Sequence, residues 1–166
     1  NGNDVLSGVT LAQFNLKSST GESKLLTVNA STTASGTLPT TLYLYNGSTL
    51  VDSKTVPSNG SVQFTNLDTR SGSTIPQSDT PTTFTIKADF PANTVNSTYA
   101  STTIQSVAYQ TPAGNTATAN GSAVTNANQY VYTKAAVIKL AGTPTISVSN
   151  PAVSTGTTTM TAVFPL

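Results

Sequence analysis

The chain has 166 residues, a formal net charge of +1 and only 8% charged residues, against a usual ~25%. It contains no His, Cys or Trp, which excludes imidazole and thiol catalysis, disulfides and the usual zinc ligands, and we expect no cofactor. The few Lys and Arg residues are scattered and no apolar run approaches ~18 residues, so we expect neither nucleic-acid binding nor membrane insertion.

Hydroxyl residues dominate the composition, with 20 Ser and 33 Thr. Disordered chains combine low hydrophobicity with high net charge, whereas this chain is nearly neutral. Its apolar residues also alternate regularly in short runs bounded by Gly, Pro, Asn and Ser, which is typical of β-strands. The sequence therefore predicts a folded all-β protein without a helix.

Eight runs in the first 140 residues show this alternation. They cover residues 9–16, 24–31, 40–45, 48–56, 61–67, 82–90, 98–110 and 129–140, with a weaker run at 122–125. A loop is expected at 68–81. In the first run the alternation places Thr10, Ala12, Phe14 and Leu16 on one face.

Two Asn-Gly pairs separate neighbouring runs. Asn46-Gly47 predicts a hairpin with a type I′ turn, because both residues tolerate positive φ, and Asn59-Gly60 predicts a second turn. Short connections favour antiparallel pairing. The pattern predicts an immunoglobulin-like antiparallel β-sandwich of about eight or nine strands over residues 1–142, plus a C-terminal extended tail over 143–166. Its expected core includes Leu26, Val28, Phe64, Phe84 and Ile86.

The tail carries two further runs, at 145–149 and 157–166. Its end resembles the beginning of the chain, since residues 162–166 match residues 12–16 at three of five positions. Either the tail opens a second copy or copies the first strand for assembly, or the match is a coincidence between two similar strands. We call 157–166 the assembly strand, because no run follows it and its backbone needs another strand to pair with. One face of the assembly strand would carry Thr158, Met160, Ala162, Phe164 and Leu166, or the alternate set of residues. The alternative to a linking role is a tail that folds back onto its own sheet in a monomeric protein.

Two tyrosine pairs alternate along their runs, so each pair shares one strand face. They are Tyr43 with Tyr45 and Tyr130 with Tyr132. If exposed, they would form a face for stacking sugars or binding a partner; ordinary packing is the alternative. The six acidic residues fall in different segments, which gives no carboxylate pair for glycoside hydrolysis. Asp68 and Asp79 are the remaining candidates for a site assembled from loops, and Lys87 with Asp89 is a pair on the outer face of one strand.

Several segments together resemble a known family. They are 41–47, 61–67, Ile75-Pro76, 83–89 and 143–148. This series resembles the tandem immunoglobulin-like repeats of long secreted bacterial surface proteins, over roughly residues 9–150. Asn46 stands where the family more often has Asp, and both suit a turn. The resemblance implies an extracellular structural or adhesive role and no catalytic residues.

From these observations we expect a structural building block of an extracellular prokaryotic surface assembly, such as a filament, surface layer or stalk. Its partners would be copies of itself or adjacent repeats of the same chain. An adhesive or glycan-binding module of a cell-surface protein is the alternative, and an enzyme is not expected.

Overall fold

A computed structural model describes residues 5–92, 98–119, 124–131, 145–149 and 159–163. Seven strands precede residue 92: β1 (Leu6–Leu16), β2 (Ser23–Ala34), β3 (Thr41–Asn46), β4 (Thr49–Thr55), β5 (Ser61–Phe64), β6 (Thr74–Ile75) and β7 (Thr82–Phe90). Six follow: β8 (Thr98–Gln110), β9 (Thr116–Thr118), β10 (Val124–Thr125), β11 (Gln129–Val131), β12 (Thr145–Ser149) and β13 (Thr159–Val163).

The first eleven strands form two antiparallel sheets. Sheet I has the order β1-β7-β3-β4, and sheet II has the order β10-β8-β2-β5. The short strand β6 also pairs with β2, and β9 and β11 also pair with β8. β2 and β8 are therefore the central strands of sheet II.

Both sheets bury one face in a common core. Sheet I contributes Leu11, Ala12, Phe14, Leu42, Leu44, Val51, Phe84, Ile86, Ala88 and Phe90. Sheet II contributes Leu25, Val28, Ala30, Val62, Phe64, Ile75, Ala100, Ile104 and Val107. Within sheet I the rings of Phe14 and Phe84 stack with centroids 5.5 Å apart. The predicted antiparallel sandwich is confirmed, as is the burial of Val28, Phe64, Phe84 and Ile86.

The path of the chain differs from the immunoglobulin order at its outer strands. In that order the first strand pairs with the second and the last pairs with the one before it. Here β1 pairs with β7 and β8 pairs with β2. The inner pairings, β2 with β5 and β3 with β7, do correspond to the immunoglobulin pattern.

Two irregularities move residues off their predicted faces. The register of β1 shifts between Thr10 and Ala12, so Leu11 is buried and Thr10 is exposed. The register of β2 shifts between Leu25 and Thr27, so Leu25 is fully buried and Leu26 only partly. The placement of Thr10 on the face of Ala12 and Phe14 is therefore wrong, as is the placement of Leu26 in the core. In both strands an extra residue reverses the alternation, which is the effect of a β-bulge.

The first hairpin turn lies one residue later than predicted. Asn46 pairs with Thr49, so the two loop residues are Gly47 and Ser48. Only Gly47 has a positive φ, at 57°, which is the pattern of a type II′ turn rather than I′. Asn46 is the last strand residue, and its side-chain amide donates to the carbonyl of Gly72 at 2.8 Å.

The predicted loop at 68–81 contains regular structure. A 3₁₀ turn covers Leu67–Thr69, so the expectation of no helix is wrong by this one turn. It buries Leu67 in the common core, and β6 follows at Thr74–Ile75. Among the described residues no helix is long and apolar enough to cross a membrane.

The chain divides into two compact units, residues 1–134 and 135–166. In the second unit β12 and β13 form a two-stranded antiparallel sheet, with Ile146 opposite Ala162 and Val148 opposite Met160. The expected boundary after residue 142 falls within 132–144, which lies outside the described residues, as does most of the predicted run 129–140.

Replacing Phe84 by Ala should lower the free energy of unfolding by about 3–5 kcal/mol, because the side chain is fully buried and its loss leaves a cavity. The neighbouring exposed Thr83 is the control, and Thr83→Ala should cost about 1 kcal/mol or less. Urea denaturation measures both. An equal midpoint for the two variants would contradict the assigned core.

Gly60→Ala should destabilise the protein more than Gly47→Ala. Both glycines have positive φ, but a Cβ on Gly60 would lie 2.0 Å from the carbonyl oxygen of Thr32, whereas a Cβ on Gly47 meets nothing within 4 Å. The Gly60 carbonyl also accepts from the Thr32 amide at 2.9 Å, which fixes the approach. We expect about 1–2 kcal/mol for Gly47→Ala from backbone strain alone, and a larger loss of unfolding free energy for Gly60→Ala.

Candidate functional site

Tyr43 and Tyr45 lie on the outer face of sheet I. The Tyr43 hydroxyl donates to Asp89 Oδ2 at 2.7 Å. The Lys87 ammonium lies 4.9 Å from the ring centre of Tyr45, a cation–π contact. Each tyrosine of β3 therefore contacts a charged side chain of β7, and both rings are half-buried.

Asp89 joins three strands. Its second oxygen, Oδ1, accepts from the Gly8 amide of β1 at 2.9 Å, while Oδ2 accepts from Tyr43 of β3. The hydrogen bond to Asp89, with burial and the negative charge of Asp89, raises the pKa of Tyr43 above its ordinary 10.0. The Tyr43–Asp89 pair thus holds sheet I together on its solvent side.

Tyr130 of the second predicted pair packs against a tyrosine of the neighbouring strand. Tyr130 lies opposite Tyr99 on the neighbouring strand, and their ring centres are 5.8 Å apart. Tyr130 is 58% exposed and Tyr99 is 38% exposed. Tyr132 lies outside the described residues. Sequence reasoning missed Tyr99, because only the register of β11 on β8 brings the two rings together.

The tyrosines therefore do not form one common face. Tyr43 and Tyr45 belong to sheet I, whereas Tyr99 and Tyr130 belong to sheet II. The Tyr99–Tyr130 pair presents the more exposed aromatic surface.

The two loop candidates, Asp68 and Asp79, have different surroundings. Asp79 forms an exposed ion pair with Lys17 at 2.9 Å, and Asp68 lies in the first turn of the 3₁₀ segment. No cluster of three or more acidic residues able to hold a metal occurs within the described ranges. A shallow cleft of about 420 Å³ opens at one end of the sandwich, lined mainly by hydroxyl and amide groups. Lys17, Ser18, Ser23, Ile75, Tyr109 and Pro112 are among its lining residues.

The free edge of β4 carries inward-facing charge. Asp52 and Lys54 lie opposite Leu44 and Leu42, which are buried, so both charged residues point to the core side of the edge strand. Lys54 Nζ lies 3.2 Å from Asp52 Oδ2, and Arg70 Nη2 lies 3.9 Å from Oδ1. Inward-pointing charges on an edge strand oppose the addition of another strand.

Two other edges are irregular or short. β1 has two register shifts, and its Gln13 amide donates to Asn126 Oδ1 at 3.3 Å. β5 has only four residues and β6 two. Bulges and short edge strands both reduce pairing with another chain.

The fourth edge is the outer edge of β8, and three separate short strands pair with it. β9, β10 and β11 pair successively with residues 108–110, 103–104 and 98–100 of β8. Each covering strand has only two or three residues, whereas β8 is continuous over thirteen. Residues 90–133, which include this whole edge, contain no charged side chain.

The structure describes only part of the assembly strand, residues 159–163. Met160 and Ala162 lie in β13, whereas Thr158, Phe164 and Leu166 lie outside the described residues. The expectation that this strand lacks a partner is wrong, because β12 pairs with it over five residues. Within the described residues the other edge of each strand is unpaired.

We expect Tyr43 in the folded protein to titrate above pH 10, and Asp89→Asn to shift that titration downwards. A raised folded-state pKa means that the unfolded chain loses this proton first, so stability falls as the pH rises above about 10. NMR of the tyrosine Cζ carbons measures the titration, with Tyr43→Phe for assignment. Asp79→Asn, on the distant Lys17 pair, is the control. An unchanged Tyr43 titration in Asp89→Asn would contradict the assigned hydrogen bond.

Comparison with protein-family models, curated proteins and solved structures gives no match for this chain. The grounds for assigning a function are therefore the sandwich, its four edges and the two-stranded tail.

Proposed function

We propose that this chain is a structural building block of an extracellular prokaryotic surface assembly, linked head to tail through β-strand contacts of its C-terminal segment. The proposal assigns it no enzymatic activity and no cofactor. Its partners are copies of itself or adjacent immunoglobulin-like repeats of the same chain.

The observation that carries this proposal is the two-stranded sheet of the tail. β12 and β13 have five residues each, and a two-stranded sheet of this size is marginally stable in water unless further strands or packing support it. Each strand also has one edge left unpaired within the described residues. The tail therefore requires an additional strand or surface to be stable.

The sequence indicates where the tail finds its additional strand, because its end resembles the first strand of the sandwich. Residues 162–166 repeat residues 12–16 at three of five positions, and residues 12–16 form part of β1, the first strand of the sandwich. In a longer chain the tail would open a following repeat. Between separate molecules it would add to a neighbour's sheet by β-augmentation. Both routes join units head to tail, and such contacts give open filaments unless a rotation closes them.

The composition suits an extracellular location. With few charged groups and many hydroxyl residues, the surface depends little on pH or ionic strength. The absence of cysteine agrees better with a secreted prokaryotic protein than with a small secreted eukaryotic domain.

An adhesive or glycan-binding module is the second candidate, and the exposed Tyr99–Tyr130 pair favours it. Aromatic rings with one apolar face and a polar group suit sugar stacking. A glycan array probed with the full chain tests this candidate. Binding that Tyr130→Ala abolishes and Tyr43→Phe retains would support it.

Ala162→Lys should reduce self-association of the full chain, whereas Thr161→Lys should leave it largely intact. Positions 160 and 162 share one face of β13 and position 161 lies on the other, so the lysine at 162 interrupts the apolar face. Sedimentation velocity and negative-stain imaging at micromolar concentration measure the assembly. Equal loss in both variants would contradict the assigned face.

Deletion of residues 144–166 tests the linking role itself. We expect the shortened protein to be monomeric under conditions in which the full chain assembles. If both have the same oligomeric state, the linking role is wrong and the adhesive module becomes the better assignment.

A further inference from the structure

We infer that the acceptor for the tail is the outer edge of β8, and that the β13 strand of a second copy binds there by displacing β9, β10 and β11. This inference rests on the proposed head-to-tail assembly and specifies which edge of the sandwich receives the neighbouring strand.

The strands β9, β10 and β11 together form the cover of the β8 edge, and this cover is held weakly. Among the described residues this cover consists of three short strands, and its register on β8 shifts from one strand to the next, so it does not form one continuous ladder. The side chains of Thr116, Thr118, Val124 and Thr125 are exposed, so the covering segments bury little apolar surface. A continuous five-residue strand would form an unbroken ladder on β8.

Displacement of β9, β10 and β11 would also expose to water a buried polar group that has no hydrogen-bond partner. The Asn126 side-chain Nδ2 is buried and has no hydrogen-bond partner among the described residues. A buried donor without a partner carries a desolvation cost. The bonds to be broken around it are accessible to water or half-buried, among them Thr103 Oγ1 to Thr125 Oγ1 at 3.1 Å and Ser101 Oγ to the Asn126 carbonyl at 2.8 Å.

Exposed large apolar side chains are concentrated at the β8 edge. Of the five large apolar side chains exposed in the described residues, Tyr99, Val124 and Tyr130 belong to β8 and its cover. The β4 edge has Asp52, Lys54 and Arg70 against an incoming strand. The β8 edge has no charged residue to oppose one.

The tail of a second copy fits this edge by charge and by length. Residues 140–166 contain no charged side chain, as is true of residues 90–133. No charge therefore has to be desolvated when the two segments meet. β13 has five residues and an edge left unpaired by β12 within the described range, so it can pair with β8 while it keeps β12. The product is a sheet of more than three strands, which removes the marginal stability of the isolated pair.

A disulfide that locks the cover in place tests this inference. Thr103 and Thr125 lie directly opposite each other, and their hydroxyl oxygens are 3.1 Å apart. Sulfur atoms at those positions would need to move by about 1 Å to reach an S–S bond of ~2.05 Å. The chain has no native cysteine, so this is the only disulfide that can form within one molecule of the full-length Thr103→Cys/Thr125→Cys variant. The matched control is Asn15→Cys/Thr83→Cys, which locks the directly opposed β1–β7 pair instead.

We expect the oxidised Thr103→Cys/Thr125→Cys variant to remain monomeric, and to assemble once the disulfide is reduced. The wild type and the oxidised control should assemble equally. Assembly of the oxidised lock to the wild-type extent would overturn the β8 edge as acceptor while leaving the proposed function intact. A wild-type chain that stays monomeric at all concentrations would overturn assembly between separate molecules, which is one route of the proposed function, and this inference with it.

Cross-linking identifies the occupant. Full-length Thr103→Cys should form a disulfide with a second full-length variant carrying one cysteine between positions 159 and 163. Because alternate residues of a strand share a face, efficient coupling should occur at alternate positions. Coupling that is equal at all five positions, or absent from all five while the wild type assembles, would overturn β13 as the occupant.

Discussion

Unpaired backbone N–H and C=O groups at the edges of a sheet are the constraint on which this structure depends. A sandwich of two open sheets has four edges, and each must be paired, shielded or made unsuitable for another strand. In this protein the four edges differ in what prevents another strand from pairing with them. β4 carries inward charge, β1 is bulged and contacts Asn126, β5 and β6 are short, and β8 is covered by three uncharged fragments.

The exchange of the outer strands relative to the immunoglobulin order decides where these edges lie. Because β1 pairs with β7 and β8 pairs with β2, the longest strand of the sandwich has one side facing outward in sheet II. The chain that follows β8 then turns back to cover this side. Its short, shifted pairings and the buried unpartnered amide of Asn126 weaken this cover relative to the long ladder between β2 and β8.

The sequence predicts the regular strands well and the irregular ones poorly. β7 and β8 begin and end where the alternation of apolar residues begins and ends, because strand period alone determines their faces. Thr10 and Leu26 were misplaced since a bulge depends on the partner strand, which the sequence of one strand does not reveal. For the same reason, the sequence does not reveal the contact of Tyr99 with Tyr130, the position of Asn126 or the pairing of β12 with β13. Each follows from register between segments distant in the sequence.

Amide hydrogen exchange of the unmodified protein, compared before and after assembly, tests strand exchange at the β8 edge most directly. If strand exchange occurs, amides of residues 159–163 gain protection on assembly. Amides of β8 should keep theirs, while those of residues 116–118 and 124–131 lose it as the cover is released. Unchanged protection of 116–118 and 124–131 in the assembled state, together with gained protection at another edge, would contradict it.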